Sequence, residues 1–475
     1  MGDSFYFGGG SSETALLPIV AVLMTLTIIL MLGLPRKYAV VPFLLATFLL
    51  PRDQVVVIAG VHFFVQRIIV LAAWLGLAVT KLSSSSRLFG RRLDIFDAIF
   101  AVWALYHAFA FLVVFQFASG AAINQAGQLV DLIGTYFLLR YLIRDDQDIL
   151  RVLKTFAVVA VIVGICMLNE KLRGQNLFGY LGGRFTPEVR EGATRAQGPF
   201  AHAILAGSFG ATSLPLFVWL GMAKKTRTLA VAAVLACTVM VLASASSTPL
   251  LAYVAGIIAI SFWPMRKHMR KFRWGLVIGL LVLHLVMKAP VWFLIERVSI
   301  VGGSSGFHRA ELVDQFIKHF GDWWLFGTNT NDSWGNQMID LSNQFVAEGE
   351  SGGLVSFICF IAMISICFSR IGKARKLAKG DRARQWYFWL FGAAMLAHIV
   401  AYFGIGYFDH MQVAWFALLA MIIAATAPIL AMTSAPGNEV HEVQLTGPGS
   451  DFVLPSHLES GADLDEPGGL LPYRR

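Results

Sequence analysis

The chain has 475 residues, 57% of them hydrophobic and only 14% charged, and carries a net charge of +9. Soluble domains carry about a quarter charged residues, so this composition excludes a soluble globular protein and points to a membrane-embedded one. The basic excess sits in short clusters between apolar runs, a distribution that argues against nucleic-acid binding and for a sided membrane topology.

Crossing ~30 Å of hydrocarbon takes about 20 apolar residues. About 13 such runs are predicted, at 14–33, 38–50, 62–80, 97–117, 126–143, 149–168, 201–222, 228–246, 249–264, 274–295, 353–369, 386–406 and 412–433. The second is short and reads as tilted or partly re-entrant. The N-terminal segment has no basic stretch before its apolar run, and that run ends at Pro35-Arg36-Lys37. This predicts an uncleaved first span with the N-terminus outside. Alternation then places 36–37, 81–96, 140–154, 223–227, 266–273 and 370–384 in the cytoplasm, and these loops hold 25 of the 38 Lys and Arg residues. Cys166, Cys237, Cys359 and Cys367 all lie in or at the ends of apolar runs, so neither a disulfide framework nor a zinc cluster is expected. Residues 1–433 read as one polytopic membrane domain. The polar, Pro- and Gly-containing segment 434–475 reads as a disordered cytoplasmic tail.

The remaining cations stand against the charge bias. Lys171, Arg173, Arg184, Arg190 and Arg195 fall in the outer loop 169–200, and Lys288, Arg297, Arg309 and Lys318 around the outer loop 296–352. The second loop is far longer than a helix connection needs. Within it, RAELVDQFIKHF puts Leu312, Val313, Phe316, Ile317 and Phe320 on one helical face, with Arg309, Glu311, Asp314, Lys318 and His319 elsewhere. That pattern predicts an amphipathic helix on the membrane surface. Trp323 and Trp324 read most simply as interface anchors. A second helix over MIDLSNQFVAEGESGGL puts Asp340, Asn343 and Glu350 near the outer mouth of the bundle.

Guanidinium groups at an outer membrane surface suit bidentate recognition of phosphate or carboxylate. A lipid-linked sugar presents a diphosphate at that depth. Breaking its sugar–phosphate bond develops charge that positioned arginines stabilise, while a carboxylate or histidine takes the proton of an attacking hydroxyl. No DxD-type carboxylate pair lies in the outer loops, so metal-independent chemistry is expected. Arg67, just inside the outer end of the third run, reads either as a diphosphate contact or as a snorkelling side chain. Asp131 reads as a structural hydrogen-bonding group. His202 reads as a site residue or a helix cap, and His308 joins the substrate-binding set beside Arg309. His107, His284 and His398 are expected to be buried and hydrogen-bonded.

The segment TRAQGPFAHAILAGSFGATSLPLF resembles the RxxGxFxxPNxxA stretch that opens a span in the O-antigen ligase and polymerase superfamily. GFHRAELVDQFIKHFGDWWLFGTN followed by DLSNQFVAEGESGGLVSFICF resembles that superfamily's large periplasmic loop and its E-x-G step into the next helix. The resemblance implies an all-α, GT-C-like polytopic fold of about 12–13 transmembrane helices with a large periplasmic loop, in a bacterial inner membrane. It implies inverting, metal-independent transfer of glycan from an undecaprenyl diphosphate-linked oligosaccharide, with no cofactor, alongside other polysaccharide assembly or export proteins. On this pattern Arg195 and Arg309 match the two motif arginines, Asn343 the Asn of a His-Asn pair, and Glu350 the E of E-x-G. Ser342 stands where many ligases carry His, which favours an exopolysaccharide polymerase-like branch with Asp340 as base. A polytopic transporter or a scaffold subunit for a lipid-linked polysaccharide is the competing reading, although no inverted repeat is visible.

Overall fold

In the computed structural model of the chain, residues 14–58, 60–82, 93–296, 306–335 and 338–431 are described. The expected tail 434–475, Arg297 and most of the 81–96 loop lie outside them. From the N-terminus come α1 (Pro18–Gly33), α2 (Arg36–Leu49), strands β1 (Val55–Ile58) and β2 (Val61–Phe64), α3 (Val65–Leu82) and α4 (Ile95–Val114). Next are α5 (Ser119–Leu129), a π-helical turn at Val130–Gly134, α6 (Thr135–Leu142) and α7 (Asp146–Arg173). A second hairpin of β3 (Glu188–Arg190) and β4 (Ala193–Arg195) leads to α8 (Ala203–Leu220), α9 (Arg227–Ala243), α10 (Ser247–Ser261) and α11 (Met269–Val286). The chain closes with α12 (Gly306–Lys318), the single turn α13 (Phe320–Trp323), α14 (Gln344–Leu377), α15 (Arg382–Tyr402) and α16 (His410–Ala431).

Six helical stretches are long and apolar enough to cross a membrane by length and composition: α4, α7, α8, Lys224–Ala243, α14 and α16. Three shorter apolar helices, α1, α10 and Val65–Thr80 of α3, accompany them. The architecture is that of a polytopic, overwhelmingly helical membrane protein. Every predicted apolar run meets a helix, the fifth divided between α5, the π turn and α6. Two short hairpins interrupt this helical architecture. The third run begins as a strand, because VVVI and VHFF are β-branched and aromatic and flank a two-residue turn in which Gly60 has φ of +79°.

The arrangement is concentric. α16 buries residues from Val413 through Thr426 on every side, and α8 is nearly as enclosed, as apolar helices without a polar face must be when they occupy a core. α8 packs against α9, α10 and α15, while α16 packs against α6 and α14. On the periphery, α1 exposes Ile19, Val22, Leu26 and Ile29, an apolar stripe at helical spacing.

Charge separates the two ends of the bundle. At one end Arg36 pairs with Asp148 at 2.7 Å, Arg140 with Asp97 at 2.9 Å, Arg370 with Asp94 at 2.5 Å and Arg384 with Asp146 at 2.7 Å. All four of these acids also sit at helix starts: Asp94 and Asp97 form a capping box on α4, and Asp146 and Asp148 lie in the first turn of α7, whose cap is Asp145. The basic loops thus carry structural partners inside that end. The opposite end collects the turn between α9 and α10, the loop 174–202, the turn between α15 and α16, and the long connection before α14.

Candidate functional site

The site grows from the hairpin β3–β4. Glu191 and Gly192 take φ of +50° and +76°, a two-residue turn of the type that matches strand twist. It sets Glu188 directly opposite Arg195. Arg195 Nη1 donates to both Glu188 carboxylate oxygens at 2.9 and 3.0 Å, and Nη2 donates to Ser246 Oγ at 2.9 Å. Its Nε is buried and makes no hydrogen bond. The next residues are clasped by Glu170, which accepts from the Gln197 and Gly198 amides at 3.1 and 2.9 Å. Gly198 holds φ of +58° there, and Asn176 donates to its carbonyl at 2.7 Å. The motif RAQGPF is therefore a rigid seat that fixes Arg195 at the bundle's end.

Arg309 arrives from α12 and corrects the predicted helical face. Arg309, Leu312 and Phe316 follow i, i+3, i+7 spacing and are buried together, whereas Ile317 and Phe320 are exposed. The helix packs on α14 over a small core of Leu312, Phe316, Trp323, Trp334, Met338 and Val346. Trp323 is buried, stacks on Phe316 at 4.0 Å and donates Nε1–H to its carbonyl. It is a core residue, not a surface anchor; Trp324 is the exposed one.

Arg309 is 8% exposed as a residue, its Nε is buried without a hydrogen bond, and it makes no ion pair among the described residues. Burial lowers its pKa from the ordinary value, Asp340 raises it, and the charges of Arg190 and Arg195 lower it further. Residues of the two loops singled out in the sequence therefore come together: Arg309 lies within electrostatic reach of Arg190, Arg195 and Asp340. Arg190 itself is exposed. A buried cation without a partner is costly, and this one sits among other cations.

Beside this cluster opens a cavity of about 530 Å³ among α4, α5, α14, α16 and the turn before α16. Asp340, His202 and Glu348 line it, with aromatic walls that include Trp103, Tyr407 and Trp415. His202 caps α8 through its backbone conformation, and its ring meets Phe408 nearly perpendicularly at 5.9 Å. Burial lowers its pKa, Arg184 and Arg195 push the same way, and Glu188 and Asp340 oppose them. His308 reaches the Asp340 carbonyl with Nε2 at 3.2 Å and so fastens the loop. Asn343 Oδ1 accepts from the Phe345 and Val346 amides as the N-cap of α14, leaving its buried Nδ2 without a hydrogen bond. Neighbouring Ser342 Oγ is likewise unsatisfied.

Glu350 is buried with neither oxygen hydrogen-bonded, yet it is not part of the cavity lining. Its backbone marks a break in α14. At Gly353 φ is +67°, so the helical bond from Leu354 to Glu350 is lost. Leu354 N–H donates to Trp324 O at 2.8 Å instead, and Glu350 O accepts from Thr328 N–H at 2.7 Å.

Arg67 stands apart from the cluster. It forks onto Asp131, Nε to Oδ1 at 3.1 Å and Nη2 to Oδ2 at 2.6 Å, and spends Nη1 on the His62 carbonyl. Its charge is matched inside the protein, and Asp131 is ion-paired rather than merely hydrogen-bonded. Arg52 continues the chain, 3.9 Å from Asp131 and 4.0 Å from Asp409. Asp409 accepts from the Ala201 amide at 3.3 Å and faces His410 Nδ1 at 2.6 Å. Neither Arg52 nor Asp409 was singled out in the sequence, and only tertiary contact reveals them. His398 is buried against Tyr407 OH at 2.9 Å, and His107 bonds Ser351 at 3.0 Å. Among the described residues no three His, Cys, Asp or Glu side chains gather as a metal site.

No family model matches the chain, and no curated protein matches it. The likeness to O-antigen ligases and polymerases thus rests on the motif residues alone.

Proposed function

We propose that the protein is a membrane glycosyltransferase that transfers or polymerises glycan from an undecaprenyl diphosphate-linked donor at the periplasmic face of a bacterial inner membrane, with polymerisation favoured. The observation that carries this reading is the buried Arg309, its Nε unpartnered, within reach of Arg195, Arg190 and of Asp340, which lines an aromatic-walled cavity. Clustered guanidinium groups, of which Arg309 has no ion-pair partner among the described residues while Arg195 is held by Glu188, suit a dianionic leaving group. In this scheme Arg309 and the free edge of Arg195 hold the diphosphate, with Arg190 at the exposed rim. The acceptor hydroxyl attacks the sugar carbon from the side opposite the diphosphate, which inverts that centre. Asp340 takes the hydroxyl proton, because it lines the cavity and Glu350 does not. Asn343 and His202 then serve as hydrogen-bonding groups at the edge, while Arg67 braces the scaffold through Asp131.

The test is reconstitution into liposomes with undecaprenyl diphosphate-linked oligosaccharide, reading product size on a gel. A ladder of longer chains is expected. A single transfer to another acceptor identifies a ligase. Folded protein that moves the donor across the bilayer without any covalent product contradicts the enzyme reading and favours a transporter.

A further inference from the structure

The site is polarised in charge. Arg190 and Arg195 act on Arg309 together with Asp340, whereas among the described residues the cavity lining contains two carboxylates, Asp340 and Glu348, and no lysine or arginine. Glu348 is 3% exposed and held by two fixed donors: Trp103 Nε1–H reaches Oε2 at 2.7 Å, and Gln344 Nε2 reaches Oε1 at 2.6 Å. The orientation of that amide is settled by the Tyr407 backbone N–H, which donates to Gln344 Oε1. Both partners are pure donors toward Glu348, the arrangement that an ionised carboxylate satisfies. Further amides, Gln125 and Gln128 from α5 and Gln412 from α16, face the same space between aromatic rings. Cavities of ~300–1,000 Å³ with apolar walls and a few placed polar groups take small-molecule ligands, and this one falls in that range.

Resting on the glycosyl-transfer reading above, we propose that this cavity is the glycan subsite and that it selects neutral or amino sugars over uronic acids and other anionic sugars. Hydroxyl and ammonium groups donate to the remaining lone pairs of Glu348 and Asp340, and the glutamine amides pair with hydroxyls of either polarity. A sugar carboxylate meets the two acidic side chains Asp340 and Glu348 and no lysine or arginine among the described lining residues, in a site where low dielectric magnifies repulsion. The same division orients the donor. Its diphosphate stays with the guanidinium groups at the rim, and its sugar enters the acidic interior.

The experiment is saturation-transfer NMR on the full chain in lipid nanodiscs. The probes are three pools of mono- and disaccharides with gluco, galacto and manno configuration: neutral, amino and uronic. The neutral and amino pools are expected to give signal, with the uronic pool at least ten-fold weaker. Glu348→Gln is expected to lower the amino signal and raise the uronic one. Ala347→Phe, which fills the cavity from its α14 wall, is expected to abolish all three while the protein keeps its gel-filtration profile. Equal or stronger binding of the uronic pool overturns the proposal. So does binding of no pool, or signal that survives in Ala347→Phe. If glycan transfer proceeds while the uronic pool binds equally, the selectivity fails and the activity stands. If the selectivity holds while no transfer occurs, the activity fails and the cavity assignment stands.

Discussion

Asp409 shows how much one residue at this end of the bundle carries. It holds φ of +57° and ties three segments together through Ala201, His410 and Arg52. Burial alone raises its pKa, but the neighbouring His410, Arg52 and the Ala201 amide outweigh that and hold it below the usual carboxylate value of 3.8. A folded-state pKa lowered in this way contributes stability that is complete above the unfolded value and is lost as pH falls through the folded one. Asp409→Asn keeps the backbone preference, since Asn tolerates left-handed φ. It removes the charge, and breaking a buried pair from one side costs roughly 3 kcal/mol. Thermal unfolding in detergent at pH 7 should show that loss, and the gap to wild type should close as pH drops below 4. A gap that stays constant with pH would show that the carboxylate charge is not responsible. None of this was legible in the sequence, where Asp409 is one acid in a short turn. Arg67 and Asp131 were legible singly, but 64 positions separate them, and their pairing emerges only when α3 packs on the π turn.

At the scale of elements, local chemistry was readable and orientation was not. The break in α14 falls where the predicted helix ending in GESGGL meets the apolar run starting at 353, and Gly353 performs it. A Cβ there would lie 2.2 Å from the Leu325 carbonyl oxygen, on a backbone with φ of +67°. Left-handed φ costs a residue with a Cβ about 1–2 kcal/mol before that clash is counted. Gly353→Ala is therefore expected to lower stability by more than about 2 kcal/mol and to unseat residues 324–328. Gly372→Ala in the same helix meets nothing within 4 Å and is expected to be neutral or slightly stabilising. Equal melting temperatures for the two variants would contradict this account of the kink. The burial of Arg309 shows the limit of amphipathic reading. Its spacing to Leu312 and Phe316 was present in the sequence, but an arginine is assigned to the polar face by type, and the unpartnered guanidinium is the exception. The hairpin at Glu191-Gly192, which sets Glu188 opposite Arg195, was not read from the sequence, where 169–200 was a loop.

For the whole molecule, the apolar runs located the helices, because each must bury its backbone polar groups internally in hydrocarbon. The cavity was not legible, since its walls come from residues spread between Phe100 and Phe416. The charge asymmetry gives a testable topology. Arg190 and Lys224 are both exposed, at opposite ends of α8 and its preceding loop. With the native cysteines replaced, Arg190→Cys should react with an impermeant maleimide in intact spheroplasts, and Lys224→Cys only after permeabilisation. The reverse pattern would invert the assigned sidedness.

The central claim is that Arg309 faces a lipid-linked diphosphate at the mouth of the cavity. It is tested most directly by comparing wild type, Arg309→Lys and Arg309→Ala in the reconstituted transfer assay, with melting temperature measured on the same preparations. Loss of a positioned charge-stabilising group costs about 10²–10³ in rate. The account predicts a loss of that size for Arg309→Ala in protein that remains folded and membrane-inserted, with partial rescue by Arg309→Lys. Full activity in Arg309→Ala would contradict it.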